Sequence, residues 1–207
     1  MQTSAAGVAV ATSARLARAV APAAGSMEVF PFGQPEGGVC QVAYIVADLH
    51  QAMAKFTRIL HAGPWFWQSS ENGNASYRGK PMRFRGKVAA GNMGHVMIEL
   101  IQQTDDTPSP FTEVIAKRGY GLHHQAVMVK DFDARLHEYQ AMGYEVAFDV
   151  GLRKPHRDIY VDTKGDLPFF VEITEANDAM VDTYTKTYQA SVGWDGKDPI
   201  RPFSALK

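Results

Sequence analysis

The stretch Gln41-Val-Ala-Tyr-Ile-Val-Ala-Asp-Leu49 returns 83 residues later as His124-Gln-Ala-Val-Met-Val-Lys-Asp-Phe132. Each copy opens on a residue able to ligate a metal, runs through an apolar strand, and ends at an aspartate before a helix-like stretch. A second pair follows, Val96-Met-Ile-Glu99-Leu-Ile101 and Phe169-Phe-Val-Glu172-Ile-Thr174, with the glutamates 73 residues apart and each inside an otherwise apolar strand. Side chains along a strand alternate faces, so residues two apart share a side. Gln41 therefore groups with Ala43 and Ile45, His124 with Ala126 and Met128, Glu99 with Met97 and His95, and Glu172 with Phe170. Equivalent strands of a duplicated fold turn equivalent faces to one concavity. Gln41, Glu99, His124 and Glu172 are expected to meet there.

Working outward, Asp48 fits a helix N-cap, and Leu49, Met53, Phe56 and Leu60 fall at the spacing of a buried helical stripe. Gly63-Pro64 ends that helix, and Trp65-Phe66-Trp67 begins an extended piece. A polar turn is expected over Ser69–Asn74, a strand around Met82–Val88, a turn at Asn92-Met93-Gly94 and a strand over 95–101. The second half repeats the order: strand 122–129, helix 132–142 stopped at Gly143, strand 144–150, a basic loop at Arg153-Lys154-Pro155-His156-Arg157, and strands 157–163 and 168–174. Each half thus reads as a βαβββ module, and the fold class is α+β. The divisions are a flexible N-terminal extension (1–38), the first module (39–103), a connector with a short helix over 111–117 (104–120), the second module (121–176), and a C-terminal helix and tail (177–207), the tail expected as a Pro-containing coil through Lys207.

Bulk properties narrow the partners. The 207 residues are 45% hydrophobic and 21% charged with a net charge of −1, ordinary for a globular chain without attraction to nucleic acid or acidic membranes. No apolar run reaches membrane-spanning length. Cys40 is the lone cysteine, so no internal disulfide forms, and a reducing, cytoplasmic setting fits. The first 26 residues are rich in Ala, Val and Ser and lack acids; a transit peptide has this look, but a disordered extension with Met27 as an alternative start is the favoured expectation.

One imidazole nitrogen with three oxygens suits Zn²⁺ or a neighbouring first-row metal. Two carboxylates brought together without a cation would repel and raise one pKa. The segments Gln41–Leu49, Gly121-Leu-His-His124 through Asp131, and Val161-Asp-Thr with Val171-Glu172-Ile resemble the vicinal oxygen chelate superfamily, which includes glyoxalase I, methylmalonyl-CoA epimerase and extradiol dioxygenases. Gly63-Pro64-Trp65 is similar to the epimerase-like branch, whereas the order Gln, Glu, His, Glu is that of zinc glyoxalase I.

The resemblance implies that the two paired βαβββ modules form a cupped mixed sheet around a divalent metal, zinc first and nickel, cobalt, manganese or iron as alternatives, held by Gln41, Glu99, His124 and Glu172. It implies an isomerase, epimerase or lyase that moves a proton beside a carbonyl through a metal-stabilised enolate, with Glu172 as first choice of base and Glu99 as second. The expected partner is a small carbonyl compound, and the expected assembly a homodimer. Trp65, Trp67, Arg83, Arg85 and His95 are the candidate substrate contacts: the tryptophans with Phe66 and Phe84 as an apolar wall, the arginines for a carboxylate or phosphate. His123 is expected to point away from His124 by alternation. The rival functions are an Fe(II) ring-cleaving dioxygenase, which would need a second histidine beside a carboxylate, and a metal-free binding protein.

Overall fold

The computed structural model describes residues 28–151 and 157–206. In chain order these form β1 (Val39–Ile45), α1 (Leu49–Leu60), β2 (Trp65–Tyr77), β3 (Lys80–Met93), β4 (Val96–Gln103), α2 (Pro110–Arg118), β5 (Gly121–Val129), α3 (Phe132–Ala141), β6 (Glu145–Asp149), β7 (Asp158–Asp162), β8 (Phe170–Glu175), α4 (Asp178–Ser191) and β9 (Ile200–Pro202), with a 3₁₀ turn at Phe203–Leu206.

The two copies of the repeated stretch, β1 and β5, lie side by side and antiparallel, and Val42 pairs with its own counterpart Gln125. A pseudo-twofold axis passes through that pair. β4 lies parallel to β1 on one side and β8 parallel to β5 on the other. Among the described residues the order β3-β4-β1-β5-β8-β7-β6-β2 closes on itself through the β2–β3 pairing. The mixed sheet is thus a cup closed within one chain, which leaves few unpaired edges.

Helices α1 and α3 cover the convex side. α1 is capped by Asp48, whose carboxylate accepts from the Gln51 N–H at 2.8 Å, and buries Leu49, Ala52 and Met53 against Trp65, Ile98 and Leu100. Leu60, expected on the same stripe, is exposed at the helix end. Phe132 of α3 packs over Val127, Ile159, Val161 and Ile173. The concave side is filled from two directions. α2 supplies Phe111 and Val114 to a cluster with Phe84, Phe148, Tyr160 and Phe170. α4 supplies Tyr184 to one with Phe30, Phe32, Cys40, Met97 and Met128.

Four expectations are corrected. Ser69–Asn74 is strand, not turn, within a hairpin that reverses at Arg78-Gly79, both with positive φ (46° and 75°), as a two-residue type I′ turn requires. Its polarity hides the strand, because one face of β2 looks into a cavity and the other into solvent. The reversal expected at Asn92-Met93-Gly94 falls on Gly94-His95. Residues 28–38, assigned to a flexible extension, pack into the core through Phe30 and Phe32. The tail expected as coil pairs Ile200–Pro202 with Trp65–Trp67 of β2. No described helix is long and apolar enough to cross a membrane.

α2 is seated by a capping box. The Ser109 hydroxyl accepts from the Phe111 and Thr112 N–H groups at 3.1 and 3.0 Å and donates to Gln103 at 2.6 Å. We expect Ser109→Ala to lower the unfolding free energy by about 1–2 kcal/mol in chemical denaturation; an unchanged midpoint would show that the cap does not hold α2.

Candidate functional site

The strand register explains why four long polar side chains can converge. Ala43 lies directly between Glu99 of β4 and His124 of β5, and Ala126 lies between Gln41 of β1 and Glu172 of β8. Ala43 and Ala126 are counterparts in the repeat, and both are fully buried. Each leaves the space over its strand that its longer neighbours occupy. Their role was not legible in the sequence, where they read as ordinary strand alanines.

The converging atoms form a tight group. The Gln41 Nε2 lies 3.0 Å from Glu99 Oε2, 3.2 Å from His124 Nε2 and 3.4 Å from Glu172 Oε2. His124 Nε2 lies 3.0 Å from Glu172 Oε2 and 3.4 Å from Glu99 Oε2. Four donors around a tetrahedral zinc, with bonds of 2.0–2.2 Å, stand about 3.3–3.6 Å apart, so an opening of a few tenths of an ångström separates this group from that geometry. No set of three His, Cys, Asp or Glu side chains among the described residues forms a ready cation cage; the imidazole and carboxylates are hydrogen-bonded to one another, and the fourth donor is an amide. That amide turns its NH₂ inward, while its oxygen accepts from the Tyr184 hydroxyl. A half-turn of the amide would present the oxygen instead, and Tyr184, able to accept as well as donate, could still partner it. The donor set therefore fits a divalent cation.

The electrostatics follow from burying two carboxylates together. Burial opposes charge on His124, but the Glu172 and Glu99 carboxylates outweigh it and raise the imidazole from 6.5 to about 9. Burial, reinforced by Glu172, also raises Glu99. Burial first, and then the same carboxylates, hold the Tyr160 and Tyr184 phenols neutral. The Cys40 thiol beside Gln41 is pushed up to about 12, mainly by burial, and is not a nucleophile.

His123 does not obey strand alternation. Ala43 pairs with His124 but Tyr44 pairs with Leu122, so His123 is the extra residue of a β-bulge. The bulge turns its ring to the concave side, where Nδ1 lies 2.8 Å from Nδ1 of His124. Bulges next to sites re-aim side chains in this way. The counterpart residue, Cys40, is bulged too, since Val39 and Gln41 pair with the consecutive Val127 and Ala126.

The cluster opens into a cavity of about 480 Å³ lined by Phe84, Phe111, Phe148, Tyr160 and Glu99, with Gln68, Ser70 and Asn72 along β2. Of the candidate substrate contacts, Trp65 and Trp67 lie elsewhere, in the convex cluster against α1; Trp65 donates to Thr57 at 2.8 Å. Only Phe84 of the expected wall reaches the cavity. Arg83 and Arg85 point outward and share Glu71 at 2.6 and 3.3 Å. His95, in the turn before β4, donates to the Phe32 carbonyl at 3.1 Å and stacks on Tyr188, outside the cluster. Gly33 at φ 87° admits that ring, since a Cβ there would meet His95 at 2.1 Å. Arg153, Lys154 and His156 lie outside the described residues, whereas Arg157 pairs with Asp133 at 2.8 Å. Apolar alternation marks which residues share a face but not which face is concave.

A family model for the glyoxalase/bleomycin resistance protein/dioxygenase superfamily matches residues 40–161, more than half of the chain. The chain belongs to this superfamily. Among solved structures, this superfamily member is similar to a hypothetical protein from Bacillus halodurans C-125 (18% identity, 68% of this chain and 94% of that one, TM-score 0.49). It is also similar to methylmalonyl-CoA epimerase from Mycobacterium tuberculosis (18%, 69% and 90%, 0.49) and to a methylmalonyl-CoA epimerase in complex with methylmalonyl-CoA and NH4+ (16%, 68% and 94%, 0.49). No curated protein matches the sequence. Likeness at this level does not extend to activity.

Two outcomes are expected from the geometry. Ala126→Leu should drive a side chain between Gln41 and Glu172, costing about 1–3 kcal/mol of stability and abolishing Zn²⁺ binding in calorimetry; full binding would mean that the four side chains do not act together. In cation-free protein the raised His124 contributes stability below pH 6.5 that is lost as pH rises to about 9, and the raised Glu99 acts with the same sign. Thermal midpoints should fall across that window, and a flat profile would show that His124 is not charged in the folded state.

Proposed function

We propose that this chain is a divalent-cation-dependent enzyme that moves a proton on carbon beside the carbonyl of a small molecule, as an isomerase, epimerase or lyase. The observation that supports this is the four-donor cluster opening through Glu99 into the apolar cavity. Gln41, His124 and Glu172 would hold the cation from the sealed side and Glu99 from the open side. When bound, the cation supplies Lewis-acid polarisation of a substrate oxygen. Zinc is the first choice, with nickel, cobalt, manganese and iron behind it. A cytoplasmic setting and a homodimer belong to the same proposal.

The protein's own groups divide the remaining work. Phe84, Phe111 and Phe148 bind the apolar body of the substrate and keep water out; Gln68, Ser70 and Asn72 offer hydrogen bonds along one wall. Glu99 takes the proton from carbon and returns it, helped by burial, which raises its carboxyl above the ordinary glutamate value. Glu99 thereby replaces Glu172 as first choice of base. Its side chain is 24% exposed and lines the cavity, while that of Glu172 is 9% exposed. Tyr160, a neutral phenol in the same wall, is placed to donate to a substrate oxygen. A ring-cleaving dioxygenase would need a second imidazole in the cluster, but His95 lies outside it and His123 turns its Nδ1 to His124. The metal-free binding protein is supported by one feature, namely that the charged His124 and the Gln41 amide already satisfy both carboxylates.

The decisive experiment is solvent-deuterium exchange into a panel of carbonyl compounds by zinc-loaded protein. Glu99→Gln should lose about 10²–10⁴-fold in exchange while retaining zinc, His124→Ala should lose the zinc, and Glu172→Gln should weaken zinc binding first. Undiminished exchange by Glu99→Gln removes it as the base. Absence of binding of zinc, nickel, cobalt, manganese and iron alike in the wild type overturns the enzyme proposal in favour of the binding protein.

A further inference from the structure

The His123–His124 contact joins two fully buried imidazoles through a single hydrogen bond between their Nδ1 atoms, 2.8 Å apart. One nitrogen must donate and the other accept, so the pair has a direction. His124 presents Nε2 to the cluster, 3.0 Å from Glu172 and 3.4 Å from Glu99. If His123 were the donor, a neutral His124 would carry its only proton on Nε2, and the lone pair facing the carboxylates would be filled. If His123 is the acceptor, His124 carries its proton on Nδ1 and Nε2 is free to bind a cation.

The surroundings favour the acceptor. His123 is enclosed by Phe111, Phe170 and Tyr160, with ring centroids 4.9, 5.2 and 5.5 Å away. Those three rings bring no counter-charge against His123 that would hold a second proton on it. The charged form of His124, which donates from both nitrogens, also requires an acceptor at Nδ1. His123 Nδ1 therefore accepts whether His124 is protonated or bears a cation. The acceptor exists only because of the bulge, since regular pairing would send His123 to the convex side. The sheet gives up one ladder position to place it.

We propose that His123 is a positioning residue that accepts the Nδ1 proton of His124 and so keeps the His124 Nε2 free for a cation. Ligating histidines commonly donate their second nitrogen to a carboxylate or carbonyl, and loss of that partner costs 10–100-fold in metal affinity; here a neutral imidazole supplies the acceptor. The proposal rests on the cation-dependent function above. Its test reads the proton directly, by long-range ¹H–¹⁵N correlation of the histidine rings in wild-type protein, with and without Zn²⁺, and measures Zn²⁺ affinity by calorimetry for wild type, His123→Asn and His123→Leu.

His124 should be protonated at Nδ1 in the wild type in both states. His123→Leu, which has no acceptor, should bind Zn²⁺ about 10–100-fold more weakly, and His123→Asn, whose side-chain oxygen can stand near the lost Nδ1, should recover most of that loss. A neutral His124 with its proton on Nε2, or a folded His123→Leu that binds Zn²⁺ as tightly as the wild type, overturns the proposal. Should His123→Leu fail to fold, the wild-type spectra and His123→Asn still decide. If wild-type protein takes up neither Zn²⁺ nor the other divalent cations named above, the cation-dependent function falls separately, and the proton position still decides the direction of the imidazole pair.

Discussion

Two carboxylates share the interior of a closed β-cup, and much of the surrounding structure answers that repulsion. Left alone, buried like charges a few ångströms apart would force one group to take a proton. Here the pair is met by an imidazole in contact with both, by an inward amide NH₂, and by neutral phenols of Tyr160 and Tyr184. A divalent cation would answer the same repulsion more strongly from the same centre. The cluster is thus suited to hold positive charge, supplied by a proton on His124 or, in the proposed function, by a cation. The two compete for the same nitrogen, so cation binding must release that proton.

The duplication explains how such a concentration of polar groups is tolerated. With the pseudo-axis through Val42 and Gln125, the central strand features come in pairs: Ala43 with Ala126, Glu99 with Glu172, the bulge at Cys40 with that at His123. A side chain that clears space or points inward does so twice, and four strands deliver four donors by repeating one local solution. Convergence therefore follows from register and does not depend on long, mobile loops.

That economy is also why the central part was legible in the sequence and the rest was not. Period-two alternation with the 83-residue offset selects Gln41 and His124, and with the 73-residue offset selects Glu99 and Glu172, because alternation and offset survive in the order of residues alone. Trp65 and Trp67 show the limit: a strand buried on both faces is apolar throughout, so its pattern does not tell the helix side from the cavity side. Arg83 and Arg85 flank Phe84, and only the sheet's curvature decides that the phenylalanine is the inward residue. His123 breaks alternation through a bulge that leaves no local mark in composition. Tyr184 belongs to a helix outside the repeat, so no internal comparison could connect it to Gln41.

The departures from symmetry carry the chemistry. His124 finds its supporting partner in the bulged residue of its own strand, whereas Gln41, preceded by the bulged Cys40, finds one in Tyr184 of α4. That helix and the Phe30–Phe32 segment close one end of the cup, burying the side on which Gln41 and Tyr184 meet. Beside it lies the cavity, which Phe111 of α2 and Met180 of α4 border and Glu99 lines. Two glutamates that are equivalent in the repeat thereby differ in access: one is sealed against the imidazole, and the other faces the space where a substrate would lie. A strictly symmetric cup would offer two equal bases and no preferred direction of approach. In the proposed function, covering one end separates the glutamate that holds from the one that reacts, without altering either.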